Sequence, residues 1–306
     1  MTGPARSPAS AQPGGMGIRS PRVKAARQLG KRAFRERGRL FLAEGPQAVR
    51  EALRQPGVLT ELFVTSQGAG RHPELAAQAA SQGIAVHEVS GEVMAELAQT
   101  ITPQGLLGVC RFVDVPLSVL VTERQPQLVT VLANVRDPGN AGTVMRTCDA
   151  AGADGVIFAA ASVDPYNSKC VRSSAGSLFH LPVVAGAPLD DAIGDLREAG
   201  LQVLAADGSA SRVLDAPGGP DLTRPTAWLF GNEAWGLPDE LLGLADDVVA
   251  VPIYGQAESL NLAAAAAVCL YASARHLREP RLHHDQARLS DTVIRVTGSR
   301  LRGDVS

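Results

Sequence analysis

The sequence lacks the signatures of several common function classes. None of its four cysteines (Cys110, Cys148, Cys170, Cys269) belongs to a CxxC pair. That excludes the usual zinc spacings and a disulfide framework, and it fits a reducing, cytoplasmic compartment. No apolar run approaches the roughly 20 residues that a membrane span needs. The longest candidate, residues 260–272, is short and mostly alanine. The opening MTGPARSPASAQPGGMG has no apolar h-region, so no secretory signal is expected. His283 and His284 stand together without a third ligand nearby, and no metal site is expected there or elsewhere.

What is present begins with a charge asymmetry. Residues 1–39 carry ten basic side chains and one acidic one, Glu36, which leaves nineteen basic and thirty acidic residues for the rest. A basic arm on an acidic body suits a polyanion bound at one end. Residues 1–17 are mostly Pro, Gly, Ser and Ala, and disorder is expected. From Pro21 the spacing predicts a helix with Ala26, Leu29, Ala33 and Phe34 on its apolar side. Lys24, Arg27, Lys31 and Arg35 recur at intervals of three and four and so share a face. Such a stripe can be turned to the phosphates of a polyanion or can be a solvated surface.

Residues 38–112 alternate short strands and helices: GRLFLAEG, a helix over 46–54, LTELFVT, a helix over 72–82, IAVHEV, a helix over 91–99, and GLLGVCRF. This pattern predicts a small layered α/β domain over residues 18–112. It has neither a Gly-rich phosphate loop nor paired carboxylates with a histidine, which marks a binding module. His72 and His87 read as ordinary surface or half-buried histidines. Residues 113–127, with two prolines and mixed polarity, read as a linker.

A second domain is predicted over residues 128–278, followed by a polar tail, 279–306. Its strands are continuous apolar runs, LVTVLANV, GVIFAA, HLPVV, LQVLAAD, AWLFG and DVVAVPI, which suit a mostly parallel sheet covered on both faces. A helix is expected from near Asn140 to the C-cap Gly152, and another over 189–199. A further helix is read over 238–245, and a last one from Leu260 that can run to Arg278.

Three turns follow strands and precede helices: RDPGNAGTVMR, FGNEAWGLP and PIYGQAESLN. Ligands of open α/β sheets bind beyond the carboxyl ends of the strands. Neither GxGxxG nor GxxxxGK[ST] occurs at any of the three, so the pocket is not built to grip a pyrophosphate, which weakens a dinucleotide-dependent oxidoreductase reading. The turns offer backbone groups, apolar side chains (Leu229, Ile253, Leu260, Leu262) and small polar ones (Asn232, Ser259, Asn261), which suit an uncharged adenine and ribose.

The stretches NVRDPGNAGTVMRTCDAAGADGVIF, LFGNEAWGLP and VPIYGQAESLNLAAAAAV, in this order, resemble the three motifs of the SpoU/TrmH family of the SPOUT superfamily. These are S-adenosylmethionine-dependent RNA ribose 2′-O-methyltransferases. YNSKCVRSSAGSLFHLPV resembles the family's middle segment. The resemblance covers residues 128 to about 275; residues 20–112, with IRSPRVKAARQL and FLAEGPQAVREAL, are similar to the RNA substrate-binding domain often fused ahead of it. It implies a fold that packing rules disfavour, a C-terminal segment threaded through a loop as a trefoil knot. It also implies a homodimer in which the partner chain completes each pocket.

The resemblance further implies roles. Arg146 matches the family's catalytic arginine. It could hold the target phosphate and place the hydroxyl in line, or act as a base in a desolvated cationic pocket; positioning is favoured because guanidinium stays charged near neutrality. A surface arginine paired with Asp137 or Asp149 is the plain alternative. Asn140 should brace the first turn or the substrate phosphate, and can also be a helix N-cap. Glu233 should anchor Arg146 or a backbone N–H at the second turn. Gly231 permits close backbone approach. Leu229, Asn232, Ile253, Leu260 and Leu262 should line the cofactor site, while Ser259 and Asn261 hold the third turn and the reacting ribose. Lys169, Arg172 and Ser173 are expected at RNA phosphates. Departures are few: Ile253 stands where methionine is common, and Ala234 where glycine is. Ribosomal RNA, of the 23S class, is the expected substrate. The rivals are a tRNA ribose methyltransferase and a non-catalytic RNA-binding or ribosome-assembly factor.

Overall fold

The computed structural model describes residues 16–282. Of the segment 1–17 expected to be disordered, residues 1–15 lie outside the described residues, and so do residues 283–306 of the tail 279–306, with His283 and His284; the last helix includes residues 279–282 of that tail.

The basic N-terminal segment forms two short helices, not one: α1 (Pro21–Gln28) and α2 (Arg32–Gly38). The chain turns between them at Leu29–Lys31, where Gly30 is packed against the Gln99 side chain. The turn rotates α2 away from the face of α1. Val23, Ala26 and Leu29 are buried as an apolar side, but Ala33 is exposed.

The front domain continues with β1 (Leu40–Glu44), α3 (Pro46–Arg54), β2 (Leu59–Val64), α4 (Ser66–Arg71), α5 (Pro73–Ser81), β3 (Ala85–Glu88), α6 (Gly91–Leu97) and β4 (Leu106–Arg111). The strands form one sheet in the order β1-β4-β2-β3, antiparallel except for β2–β3. Its faces are covered by α3 and α5 on one side and by α1 and α6 on the other. The helix α4 went unpredicted because SQGAGR has weak helix propensity. It forms because the Thr65 side chain accepts from the Gly68 N–H as an N-cap.

Between the domains, Val119–Glu123 forms a π-helical turn, and Leu120 is fully buried against the second sheet.

The second domain comprises β5 (Leu128–Leu132), α7 (Pro138–Ala151), β6 (Gly155–Ala159), α8 (Ser168–Ser173), β7 (Val183–Ala187), α9 (Leu189–Glu198), β8 (Gln202–Ala206), β9 (Arg212–Val213), β10 (Thr226–Phe230), α10 (Asp239–Leu242), β11 (Asp247–Ala250) and α11 (Leu262–Leu282). Seven strands make one parallel sheet in the order β7-β6-β5-β10-β8-β11-β9. Successive side chains of a strand point to opposite faces. Thus Trp228 and Phe230 of β10 join α7 and α11 in one core, while Ala227 and Leu229 join α9 in the other. The Trp228 Nε1–H donates to the buried Ser273 hydroxyl of α11 at 2.9 Å, which fixes that helix on the sheet. The helix read over 238–245 shrinks to four α-helical residues; after Leu242 the Leu244 and Ala245 N–H groups bond three residues back, which tightens the chain into a turn before β11.

The domains meet along residues 162–180. Arg35 reaches across to Asp164 at 2.5 Å, with the arginine buried and the carboxylate 11% exposed. Phe112 stacks on Tyr166, whose hydroxyl accepts from the Val113 and Asp114 N–H groups. Gln55 donates to the Phe179 carbonyl, and Arg172 donates to Glu44.

Candidate active site

The three turns converge beyond the carboxyl ends of β5, β10 and β11, as the parallel sheet requires. Asp137, not Asn140, caps α7. Its Oδ1 accepts from the Asn140 N–H at 2.8 Å, and Pro138 occupies the first helical position. The Asp-Pro pair was the sequence signal for that start, since proline in a first helical turn follows its cap. The Asn140 side chain is thereby left for other work. Its Nδ2 donates to Glu233 Oε1 at 3.3 Å, and its Oδ1 accepts from Asn261 Nδ2 at 3.0 Å.

Glu233 also accepts from the backbone N–H groups of Arg136 (3.3 Å) and Asp137 (3.1 Å). It therefore anchors the first turn from the second; it bonds neither Arg146 nor its own turn's backbone. Asn232 continues the same tie, donating from Nδ2 to the Asn134 carbonyl at 2.9 Å. Asn261 accepts from the Ala263 N–H and so starts α11 while bonding Asn140. One network of small polar side chains holds all three turns together.

Beside this network lies a cavity of about 380 Å³. Gly231, Asn232, Ile253, Ser259, Leu260, Asn261 and Leu262 all line it, with Phe230, Val249, Val251 and Glu233. Leu229 does not; strand alternation sends its side chain into the α9 core. A Cβ on Gly231 would collide with the Gly236 carbonyl, because the second turn closes on itself through paired Asn232–Gly236 backbone bonds. Asp207 and Glu258 also line the cavity and were not singled out from the sequence. The position of Asp207 just beyond β8 was the available signal. No lysine or arginine lines this cavity. Its set of backbone groups, amides, aliphatic side chains and three carboxylates (Asp207, Glu233, Glu258) fits an adenosine with a cationic tail and would repel a pyrophosphate.

Arg146 lies on the exposed face of α7, two turns beyond Asn140, about 9 Å along the helix axis. It does not line the cavity. Among the described residues it makes no hydrogen bond or ion pair. The carboxylates that could have neutralised it are engaged elsewhere. Asp137 holds Lys169 at 2.7 Å, and Asp149 holds His180 at 2.8 Å. The Lys169 hydrogen bond keeps the Asp137 carboxyl below the usual carboxylate range.

Of the expected RNA contacts, Lys24 and Lys31 are exposed, and Arg27 is exposed but paired with Glu96 at 3.1 Å. Arg35 is removed from the stripe. It is buried, and besides Asp164 it donates to the Leu29 and Gly30 carbonyls. The break after α1 causes this, since a continuous helix would have kept Arg35 on the surface face. Lys169 is exposed, Arg172 half-buried against Glu44, and the Ser173 hydroxyl bonds the Lys169 carbonyl at 2.8 Å. Burial pushes all four cysteine thiols up, so none is a nucleophile.

The match to known proteins spans both domains. Residues 127–271 match the SpoU rRNA Methylase family, and residues 20–108 match the MRM3-like substrate binding domain. The chain is 36% identical to the Bacillus subtilis 23S rRNA (guanosine(2553)-2′-O)-methyltransferase over 85% of this chain and 97% of that one. It superposes on the AdoMet-bound rRNA methyltransferase from Sinorhizobium meliloti with a TM-score of 0.73 and 33% identity, over 85% of this chain and 97% of that one. The tRNA (guanosine(18)-2′-O)-methyltransferase of Thermus thermophilus is 35% identical over only 56% of this chain, and 85% of its own.

Proposed function

Because the chain belongs to the SpoU rRNA methylase family, we propose that it methylates 23S ribosomal RNA, with the roles for its residues set out below. The reaction is S-adenosylmethionine-dependent methyl transfer to a ribose 2′-hydroxyl of RNA. The observation that carries the residue assignment is the Glu233–Asn140–Asn261 chain of hydrogen bonds beside a cavity without cations. It sets small polar groups where a ribose has to be oriented, next to a pocket suited to adenosine.

When bound, the cofactor supplies an electrophilic methyl on a sulfonium. Gly231 and the backbone of Ile253 and Leu262 would hold the adenine, with Asn232 and Leu260 closing the site. Ser259 and Asn261 would orient the ribose hydroxyls. The attacking 2′-hydroxyl passes its proton to water as it takes the methyl group, since a charged guanidinium is a poor acceptor. Arg146 is therefore assigned to the adjacent phosphate, which it grips bidentately to set the hydroxyl in line. Its lack of a partner among the described residues supports this role. Lys169 and Ser173 extend the phosphate path along α8.

We assign residues 18–112 to RNA binding, 113–127 to the connection and 128–278 to methyl transfer. Lys24, Arg27 and Lys31 serve as the phosphate-facing stripe. The passage of the chain from β11, one strand in from the edge of the sheet, back to α7, where α11 packs, supports a trefoil knot. Val268 and Tyr271 on α11 and Tyr254 and Trp235 in the turns are exposed apolar groups, which supports a homodimer that completes each site. Among the described residues no helix is long and apolar enough to cross a membrane, and a cytoplasmic location is part of the proposal, as is catalysis without a metal.

The front-domain match and whole-length similarity to a 23S rRNA enzyme favour ribosomal RNA over tRNA. Labelled S-adenosylmethionine incubated separately with purified ribosomal RNA and tRNA, followed by mapping of ribose methylation, tests this. Label in 23S RNA is expected. Label confined to tRNA would move the substrate, and cofactor binding without transfer to either would leave an RNA-binding assembly factor.

A further inference from the structure

A second cavity, of about 330 Å³, lies between the domains. It is lined by Glu44 at the end of β1, Gln47 in the first turn of α3, Thr100, Thr102 and Gln104 in the loop after α6, and Arg172 of α8. The Glu44 side chain is 4% exposed. Its Oε2 accepts from the Gln99 N–H at 3.2 Å and from Arg172 Nη1 at 3.0 Å. Its Oε1 is buried and has no hydrogen-bond partner among the described residues. An unsatisfied buried carboxylate oxygen carries a desolvation cost, which a ligand that supplies a donor would remove.

We propose that this cavity receives an unstacked base of the RNA substrate, one bearing an exocyclic amino group, and that the amino group donates to Glu44 Oε1. The inference rests on the RNA methyltransferase reading and adds a base-recognition subsite to it. Guanine, adenine and cytosine each present such an amino group. Uracil flanks its single N–H with two carbonyls, which a carboxylate repels. A phosphate is disfavoured by the same charge. Sequence-specific RNA recognition works by splaying single-stranded bases into pockets of this kind, often against an apolar or planar side chain.

The cavity is also physically tied to the methyl-transfer site. Helix α8 carries Arg172, bound to Glu44, and one turn earlier Lys169, bound to Asp137 at 2.7 Å. Asp137 caps α7, which leads to Asn140. The Ser168 hydroxyl donates to Gln99 Oε1 at 2.7 Å, which locks the loop after α6 to the same helix. A strand with one base in the interdomain cavity would run along α8 to the three turns.

The test uses the full chain and a 23S RNA fragment that it methylates. Each guanosine near the target is replaced in turn by inosine, which lacks only the 2-amino group, and parallel series remove the amino groups of adenosine and cytidine. At one position the replacement should raise KM for wild-type protein about ten-fold. It should cost little with Glu44→Gln, whose own KM for the unmodified RNA is raised while its cofactor affinity is unchanged. Gln104→Ala, at the rim, gives a second variant should Glu44→Gln fail to fold, and should weaken the same position. If no amino-group replacement discriminates wild-type protein from either variant, the subsite is refuted. Equilibrium RNA binding is read in the same series. Absence of methyl transfer by wild-type protein refutes the enzymatic reading, whereas position-specific binding loss would still report the pocket.

Discussion

The Asn261 side-chain amide donates to the Asn140 side-chain oxygen at 3.0 Å, which joins the start of α11 to the first turn of α7 across 121 residues of sequence. The Asn140 amide in turn binds Glu233. A motif that reads as three separate turns is thus one polar unit. Asn140→Ala should lower kcat/KM for RNA methylation by about 10- to 100-fold, from the loss of two orienting bonds. Thermal stability should change little, because Asp137 remains to cap the helix. A fall in melting temperature that accounts for the whole activity loss would make Asn140 structural.

Arg146 makes no intramolecular bond among the described residues, so its removal should leave the fold alone. Arg146→Ala is expected to lower single-turnover methyl transfer at least about 100-fold with cofactor affinity unchanged, the pattern of a lost positioning contact. Arg146→Lys should restore little, since an ammonium cannot hold a phosphate as a fork. Full activity in either variant would remove Arg146 from the mechanism.

Gly231 has no room for a side chain. Gly231→Ala pushes a methyl against the Gly236 carbonyl and the Leu237 side chain. The second turn must then open, at a cost of about 1–3 kcal/mol. Cofactor affinity, measured calorimetrically, should drop together with stability. Wild-type affinity in a destabilised Gly231→Ala protein would show that the turn backbone does not touch the cofactor.

Arg35 separates a structural from an RNA-binding basic residue. With Arg35 buried and Asp164 only 11% exposed, Arg35→Ala strands an acid in the domain interface and should cost about 3 kcal/mol in urea denaturation. Asp164→Leu combined with Arg35→Met should recover much of that loss. Lys24→Ala and Lys31→Ala should leave stability unchanged and weaken RNA binding in a salt-dependent way. Equal stability of Arg35→Ala and wild type would contradict the buried pair.

His180 supplies a pH-dependent contact between the domains. Its Nδ1 lies 2.8 Å from Asp149 of α7, and its Nε2 lies 3.2 Å from Glu51 of α3. Partial burial opposes its charge, but the bonds to Asp149 and Glu51 outweigh that and raise it above the ordinary histidine value of 6.5. The contribution is complete below about pH 6.5, the unfolded value, and is lost as pH rises through the raised folded value. Because the ring is 40% exposed, solvent screening holds the effect to at most about 1 kcal/mol. Denaturation midpoints should decline above neutrality in wild-type protein and stay flatter in His180→Gln. Parallel pH profiles would exclude the contact.

Much of the molecule was readable from periodicity. The α3 span Pro46–Arg54, six of the seven strands of the parallel sheet (all but the two-residue β9), and the Gly152 cap of α7 follow from proline starts, apolar runs and glycine stops. These are local signals, and hydrophobic pattern decides them before the chain folds. Seven of the eight residues read as a cofactor site do line one cavity, since strand-end turns of a parallel sheet must gather at one edge.

Other outcomes depended on the tertiary structure. Whether the basic segment was one helix or two depended on Gly30 meeting Gln99, a contact 69 residues away in sequence. That break took Arg35 from the surface into an ion pair with Asp164. Strand alternation in a buried sheet turned Leu229 away from the cavity that its neighbour Phe230 lines. The partners of Glu233 belonged to the first turn, and the unpartnered oxygen of Glu44 arose only where two domains closed around it. Composition and spacing determine which groups are available and on which local face. The free energy of packing distant elements decides which of them are buried, paired or left for substrate.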